Sequence, residues 1–275
     1  MPAVTKQQNK PSQRQMPAGI AQRIKPVSEL THKGLKMTVY GRSGTGKTRF
    51  ACTAPKPLLI VGLEDGTESV RNDKDVEFIP ITDSEELKEL HTYCSTSSRY
   101  KTIVIDTATM LQDLILKEVL GLTELPAQKS WGMATQQQYG QCSMKTKEYL
   151  RAYLNLCAQG INIIVLCQEK DHNEGKDSEV LRPSIGSALT GSVAGWLHPY
   201  CDYVGQTFVR KETVEKEVKL GSKTMTTKVE TDVKEFCFRT GVHDIYATKF
   251  RLPRGKELPE CIVDPEFNKI IDLIR

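Results

Sequence analysis

The sequence predicts an α/β protein in which a mainly parallel central sheet is covered by helices. Two observations carry this prediction. Short runs that are apolar on both faces alternate with segments of helical periodicity, which is typical of strands buried between helices. A glycine-rich loop at 41–48 also joins the first strand pattern to a helix-compatible run, as expected for a strand–loop–helix unit.

The individual elements follow from these patterns in chain order. Strands are expected at 35–40, 58–63, 76–79, 102–105 and 161–167. Helices are expected at 85–93, after an Asp83/Ser84 cap, at 108–120, ended by Gly121, and at 139–158, before Gly160. Pro265 opens a short amphipathic helix that runs to 274.

The character of the chain changes after Asp202. β-branched residues alternate with polar ones at 203–209, a segment rich in lysine and glutamate follows at 211–219, and Gly221-Ser222 forms a turn before 223–238. This pattern predicts an antiparallel hairpin extension at about 203–240, whose charged surface protects its edges.

Composition and charge set broad limits. With 275 residues, of which 39% are hydrophobic and 26% charged, one substantial core and a soluble, cytoplasmic protein are expected. The net charge of +4 permits an anionic partner without requiring one. The eight cysteines contain no C-x-x-C pair, which favours reduced, mostly buried thiols. No apolar stretch approaches the roughly 18 residues of a membrane helix.

The amino-terminal residues have a different composition. Residues 1–26 are rich in glutamine, proline, lysine and arginine, which predicts a flexible basic tail before a core at 27–275. Two interpretations of the tail stay open, a solvated terminus and a basic arm that contacts nucleic acid.

The loop at 41–48 satisfies the pattern G-x-x-x-x-G-K-[ST]. Its glycines let backbone N–H groups face the phosphates of ATP, and the following helix adds its positive end. The lysine is expected to reach the β- and γ-phosphates, and the threonine to ligate Mg²⁺. The predicted nucleotide-binding residues are Gly41, Arg42, Ser43, Gly44, Thr45, Gly46, Lys47 and Thr48.

Polar side chains stand at the ends of three other predicted strands. Asp106 ends an apolar strand and is a candidate second ligand of Mg²⁺, acting through water. Glu64 follows another strand and could orient the attacking water, although Asp65 and Glu68 compete with it and a solvated acidic turn is the alternative. Gln168 could sense the γ-phosphate, or it could be a strand cap.

These residues, in this order, resemble the RecA-type ATPase core, and residues 34–275 resemble the phage RecA-like ATPases described as Sak-type single-strand annealing proteins. In the AAA+ class a glutamate would usually follow Asp106, whereas here the next residue is Thr107. The resemblance therefore implies that Glu64 is the catalytic carboxylate.

The resemblance also implies a contribution from a neighbouring subunit. It places Lys249 and Arg251 on the phosphates bound by the next protomer, where a cation would stabilise the charge that develops during phosphoryl transfer. Arg254 could replace either residue, and a basic surface patch is the alternative interpretation.

Two further segments correspond to the DNA-binding loops of the resembled family, approximately 122–138 and 169–189. The first contains Lys129 and Trp131, and the second contains Lys170 and Arg182. A cation beside a stackable ring suits single-stranded nucleic acid. However, Trp131 could be a packing residue, and the second loop also carries several carboxylates.

Three hypotheses about function follow. The first is an ATP-hydrolysing, DNA-stimulated recombination protein that forms a homo-oligomeric ring or filament on single-stranded DNA and promotes annealing or pairing, with a single-strand-binding protein as a further candidate partner. The second is a DNA-binding or replication-accessory module in which ATP only orders the fold or the oligomer. The third is a P-loop small-molecule kinase with Arg182 and Lys176 in a lid.

Overall fold

The computed structural model describes residues 19, 23–26, 34–64, 66–125, 134–172, 185–220 and 223–274. The chain divides into Met1–His32 and Lys33–Arg275, and all elements discussed below belong to the second unit. Most of the predicted basic tail at 1–26 lies outside the described residues, so its role remains a prediction.

The strands are β1 Lys36–Gly41, β2 Leu58–Gly62, β3 Val76–Pro80, β4 Thr102–Asp106, β5 Asn162–Asp171, β6 Ile185–Ser187, β7 Tyr203–Leu220, β8 Lys223–Arg239, β9 Lys249–Phe250 and β10 Cys261–Val263. The α-helices are α1 Lys47–Ala51, α2 Ser84–Thr96, α3 Ala108–Leu120, α4 Gln136–Asn155, α5 Gly191–Tyr200 and α6 Phe267–Ile274. Single 3₁₀ turns lie at Thr67–Val70 and Leu156–Gln159.

The strands form one sheet in the order β10-β8-β7-β1-β5-β4-β2-β3, with β6 paired to β5 and β9 paired to β7. All neighbours from β7 to β3 in this order are parallel, and β8 and β10 are antiparallel to their neighbours. This confirms the predicted α/β class with its antiparallel extension. The hairpin is rooted in the parallel part, because residues 203–207 of β7 pair with β1.

Two apolar layers enclose the sheet, which explains why its strands read as continuous hydrophobic runs. Along β4, Ile103 and Ile105 pack with α2, α3, α4 and α5, whereas Val104 between them packs with α1 and α6 on the other face. This alternation is the two-residue period of a strand. The sheet therefore carries helices on both faces, and the loops at the strand ends are left to build a site.

The ends of the helices follow their capping residues. Asp83 forms a capping box with Glu86 at α2, and Gly121 ends α3 in the left-handed conformation with φ of 65°. Thr135 and Gln138 form a second capping box, which starts α4 three residues before the predicted helix. Helix α5 has no counterpart in the sequence prediction, because its glycines and Pro199 are typical of turns.

The other general expectations can be compared directly. All eight cysteines are free thiols, and seven of them are buried, with Cys261 partly exposed. Among the described residues, no helix has both the length and the apolar character that crossing a membrane requires.

The packing of α5 generates a prediction about pH. The His198 Nε2 atom lies 2.8 Å from the Ser187 hydroxyl, and burial lowers the pKa of His198 to about 4. The unfolded chain therefore binds a proton at this residue that the folded chain rejects, so stability falls as the pH drops from about 6.5 to about 4. A shift of this size corresponds to up to about 3 kcal/mol in the free energy of unfolding.

We expect His198→Gln to remove this part of the pH dependence. Urea denaturation of both proteins at pH 8 sets the baseline, because His198 is neutral there in both states. Between pH 6.5 and 4 the parent should lose more stability than the variant. Parallel losses in the two proteins would contradict the assignment.

Candidate nucleotide site

The predicted site residues meet at one edge of the sheet. In the parallel pairing, Gly41 at the end of β1 is level with Gln168 in β5, and Asp106 at the end of β4 is level with Gly62 in β2. Because parallel strands end at the same edge, the loops that follow them converge there. Glu64 comes two residues after Gly62 and belongs to the same edge.

The loop at 41–48 has the conformation that its glycines permit. Gly44 and Gly46 have φ of 77° and 84°, in the left-handed region that favours glycine. A Cβ atom on Gly41 would lie 2.4 Å from the carbonyl oxygen of Thr207 on β7. The loop is tightened by the Thr45 hydroxyl, which donates to the Arg42 carbonyl at 2.8 Å. This conformation fits a phosphate cradle, because side chains are kept away from the loop backbone.

Lys47 is held at the centre of the loop. Its ammonium donates to the carbonyl oxygens of Gly41 and Arg42 at 2.9 and 3.0 Å, and to Oε1 of Gln168 at 3.1 Å. The residue is only 7% exposed. Burial lowers the pKa of Lys47, while the nearby carboxylates of Asp106 and Glu64 act in the opposite direction. The cation is thus placed between the loop and the strand ends, where it can meet phosphate oxygens.

Thr48 and Asp106 form the candidate metal site. The Thr48 hydroxyl donates to Oδ2 of Asp106 at 2.8 Å, and Asp106 is 5% exposed. Burial raises the pKa of Asp106, and the bond from Thr48 together with the charge of Lys47 opposes that rise. Hydroxyl and carboxylate oxygens are the ligands that Mg²⁺ prefers. Thr48 and Asp106 therefore fit the ion and would hold it, and its charge would offset that of the phosphates.

Gln168 connects the lysine to a carboxylate. Its Nε2 donates to Oε1 of Glu64 at 3.3 Å, while its own backbone N–H donates to the Thr109 hydroxyl at 3.0 Å. Glu68, the competing acid, has an 86% exposed side chain that pairs with Arg71 at 3.7 Å. Asp65 lies outside the described residues. Of the two described acids, Glu64 is the one at the cleft.

These groups line a single cleft of about 430 Å³. The lining residues are Ser43, Gly44, Gly46, Lys47, Thr48, Arg49, Glu64, Gly66, Asp106, Gln168 and Phe236. The cleft therefore combines a phosphate-binding loop, a metal pair and a carboxylate with its amide partner.

Comparison with known proteins agrees with this geometry. The sequence profile described as AAA domain matches residues 33–235. The chain belongs to this AAA domain family. No curated protein sequence matches it.

Two solved structures show a distant likeness to this AAA domain. The flagellar accessory protein FlaH from Methanocaldococcus jannaschii has a TM-score of 0.40 and 10% identity, with 85% of each chain covered. A KaiC-like protein from Pyrococcus horikoshii OT3 has a TM-score of 0.39 and 13% identity, covering 84% of this chain and 90% of that one.

The strand that carries Asp106 in this AAA domain is not followed by a second carboxylate. Thr107 follows Asp106 and caps α3, with its hydroxyl accepting from the backbone N–H of Met110. The carboxylate beside the cleft comes instead from the neighbouring strand β2, as Glu64. One strand, β5, lies between the P-loop strand and the strand that carries Asp106.

The two cations predicted to act on a neighbour's nucleotide lie away from this chain's own cleft. Lys249 in β9 is level with Val204 of β7. The residue of β7 that is level with Gly41 of the P-loop is Thr207, three residues further along the strand. The Lys249 ammonium donates to the carbonyl oxygens of His198, Pro199 and Cys201 at 3.2, 2.8 and 2.6 Å. Arg251 pairs with Asp202 at 2.8 Å. Lys249 thus holds the carboxyl end of α5 and Arg251 holds Asp202 beyond it, and the action of either cation on a neighbour stays a prediction.

The predicted DNA-contact residues are only partly described. Lys129, Trp131 and Arg182 lie outside the described residues. Lys170 is exposed near the end of β5 and is level with Gly186 of β6. The second predicted DNA loop, at 169–189, therefore begins within β5 and contains β6 near its other end.

Some site residues carry no signal in the sequence. The Thr109 hydroxyl accepts from the backbone N–H of Gln168 because the fold brings α3 close to β5. No sequence motif marks Thr109. Phe236 reaches the cleft only because β8 folds back beside β7, and in the sequence it is one apolar residue of an alternating strand.

Asp106→Asn tests the metal pair. The variant keeps an oxygen to accept from Thr48 but removes the charge, so the Mg²⁺-dependent part of ATP binding should weaken by about 10- to 100-fold, as expected for an outer-shell ligand. A titration of MgCl₂ against the protein with a fluorescent ATP analogue measures this change. The matched control is Glu68→Gln, which neutralises an exposed acid near the cleft. Equal Mg²⁺ dependence in the parent and Asp106→Asn would exclude the proposed metal site.

Proposed function

We propose that this protein is a Mg²⁺-dependent ATPase that binds single-stranded DNA and promotes the annealing or pairing of strands. One observation carries the ATPase part of the proposal. A line of hydrogen bonds runs from Lys47 through Gln168 to Glu64, beside the bonded pair Thr48 and Asp106, and all five residues border one cleft.

Each residue of this line has a chemical task. Lys47 binds the oxygens of the β- and γ-phosphates and offsets their negative charge. Glu64 orients a water molecule for attack on the γ-phosphorus and accepts its proton. The new P–O bond forms as the bond to the ADP oxygen breaks, which gives ADP and inorganic phosphate. Gln168 touches both Lys47 and Glu64, so a γ-phosphate that engages Lys47 would also act on Gln168.

The DNA part of the proposal has three supports. The residues at 34–275 resemble the Sak-type annealing ATPases, and the chain carries a net charge of +4. The third support is a covalent link, because Gln168 and Lys170 lie two residues apart on β5, at the start of the predicted DNA loop. A movement of Gln168 on loss of the γ-phosphate would thus be transmitted along β5 to Lys170.

A homo-oligomer is part of the same proposal. Lys249 is level with Val204 near the start of β7, three residues from the position level with Gly41, so a role of Lys249 and Arg251 at phosphates would have to be played on another subunit. A ring or filament would bring them to the neighbour's phosphates, and a single-strand-binding protein is a candidate partner at the DNA.

Two other functions remain as alternatives. A non-hydrolytic accessory module would use the same P-loop but would not need Glu64. A small-molecule kinase would need an acceptor pocket and an arginine-bearing lid, and the candidate lid residues Arg182 and Lys176 lie outside the described residues.

Glu64→Gln separates the ATPase from the accessory module. The amide cannot accept the proton of the attacking water, so the rate of ATP hydrolysis should fall by about 10²- to 10⁴-fold while ATP still binds. Phosphate release and binding of a fluorescent ATP analogue measure the two properties, and Glu68→Gln is the matched control. An unchanged hydrolysis rate would exclude Glu64 as the base. Annealing that persists at full rate in Glu64→Gln would favour the module.

DNA stimulation and action in trans need a separate experiment. Saturating single-stranded DNA should raise ATP turnover in the parent, and the rate per protomer should rise with protein concentration. Lys47→Ala and Arg251→Ala should each be inactive, and a mixture should recover some activity, because some mixed interfaces hold both intact groups. Arg251 is preferred to Lys249 here, since removing Lys249 leaves two carbonyl groups of α5 and the carbonyl of Cys201 after it without their donor.

Turnover that does not respond to DNA in the folded, nucleotide-bound parent would contradict the DNA part. No recovery in the mixture, with each variant shown to be folded, would contradict the assignment of Arg251 in trans. The ATPase part would survive both results, because it depends on Glu64 and Lys47.

A further inference from the structure

A second cavity adjoins the phosphate cleft. It has a volume of about 170 Å³ and lies between α1 and the turn that joins β10 to α6. Gly46, Arg49 and Phe236 line both this cavity and the cleft. The two spaces therefore meet at the start of α1, beside the phosphate-binding loop.

The Phe236 ring forms the wall at this junction. Its Cδ1 atom lies 3.4 Å from the position that a Cβ atom would take on Gly46, so the ring packs directly over the loop. The backbone of Phe236 is held on both sides. It pairs with Val209 of β7, and its carbonyl accepts from the backbone N–H of Asp264 at 2.8 Å. The ring is half-buried and leaves a face toward the cavity.

The opposite wall is the turn at Asp264 and Pro265. This turn is tied to α1, because the backbone N–H of Phe267 donates to the Thr53 hydroxyl at 2.8 Å, and that hydroxyl donates to the Phe50 carbonyl at 2.6 Å. Phe267 packs in the same apolar layer as Phe50. Both walls of the cavity are thus built on packed elements.

The residues of the cleft indicate which of its ends would hold the γ-phosphate of a bound nucleotide. Lys47, Gln168 and Glu64 identify the end where the γ-phosphate is hydrolysed. At the other side of the cleft Gly46 and Arg49 are shared with the second cavity, so that cavity adjoins the cleft there. In the part of the chain that the structure describes, the Arg49 guanidinium makes no hydrogen bond or ion pair. It is exposed and can pair with the phosphate nearest the ribose.

We propose that this cavity is the base-binding subsite of the nucleotide, in which the base lies against the ring of Phe236. The inference rests on the proposed nucleotide site and adds to it a residue that no P-loop pattern contains. A flat base stacks on an aromatic face, and removal of that face weakens the binding of the base. The carboxylates of Asp264 and Glu266 line the same cavity and can accept hydrogen bonds from amino groups of a base.

The test compares ligands with and without a base. Calorimetry gives the Kd of ATP and of inorganic tripolyphosphate, both with Mg²⁺, for the parent, Phe236→Ala, Phe236→Leu and Phe236→Tyr. Phe236→Leu keeps apolar volume but removes the ring, so it replaces Phe236→Ala if that variant is unfolded by its melting curve. Tyr93→Ala is the matched control, because Tyr93 is 46% exposed on α2, on the other face of the sheet.

We expect Phe236→Ala and Phe236→Leu to weaken ATP binding at least about fivefold, the lower limit for lost stacking. Tripolyphosphate should bind within about twofold of the parent value, because it has no base to lose. Phe236→Tyr and Tyr93→Ala should bind both ligands like the parent.

Other results would overturn the subsite. Unchanged ATP binding in the ring-less variants would show that the base lies elsewhere, and equal weakening of ATP and tripolyphosphate would show that Phe236 only shapes the loop. Failure of the nucleotide site itself has a different signature. In that case Lys47→Ala would bind both ligands as the parent does, or the folded parent would bind neither.

Discussion

The parallel pairing of β1 with β5 is the constraint on which the site depends. It brings Gly41 level with Gln168, so that the ammonium of Lys47 reaches both the loop carbonyls and the amide. β5 in turn pairs with β4, which carries Asp106. A slip of one residue would turn the side chains of a strand to the opposite face, and the helices on both faces of the sheet oppose such a slip. The buried sheet is thus the frame that sets the distances in the cleft.

The electrostatics of the cleft are a balance of buried charges. Burial lowers the pKa of Lys47 and raises that of Asp106, and each charge offsets the cost of burying the other. Glu64 adds a second negative charge and is joined to Lys47 through the amide of Gln168. A bound magnesium nucleotide would add the positive charge of Mg²⁺ and the negative charge of the phosphates to these buried charges. The same groups are therefore the ones that we propose for both nucleotide binding and the alignment of water.

The antiparallel extension is connected to the cleft at several points. Arg42 in the P-loop pairs with Glu169 at 3.1 Å, and Glu169 accepts from Gln206 on β7 at 2.7 Å. Gln206 in turn accepts from Arg239 on β8 at 3.0 Å. Phe236 on the same strand lines the cleft. The long hairpin is thus a continuation of β7 and β8, whose ends nearest the parallel sheet contact the P-loop. In the proposed base-binding subsite, Phe236 of β8 would also contact the nucleotide itself.

The sequence by itself determined the class of fold and the chemistry of the phosphate end of the site. Apolar runs located the ends of the central strands to within four residues, since strands buried on both faces need such runs, and the spacing of Gly41, Lys47 and Thr48 identifies a phosphate loop locally. Glu64 and Gln168 could be nominated because each follows a strand, but only parallel register could bring them within hydrogen-bonding distance. The tertiary structure alone placed Glu64 rather than Glu68 at the cleft, tied Lys249 to α5, and placed Phe236 over Gly46. These outcomes depend on contacts between residues far apart in the chain, which no local pattern records.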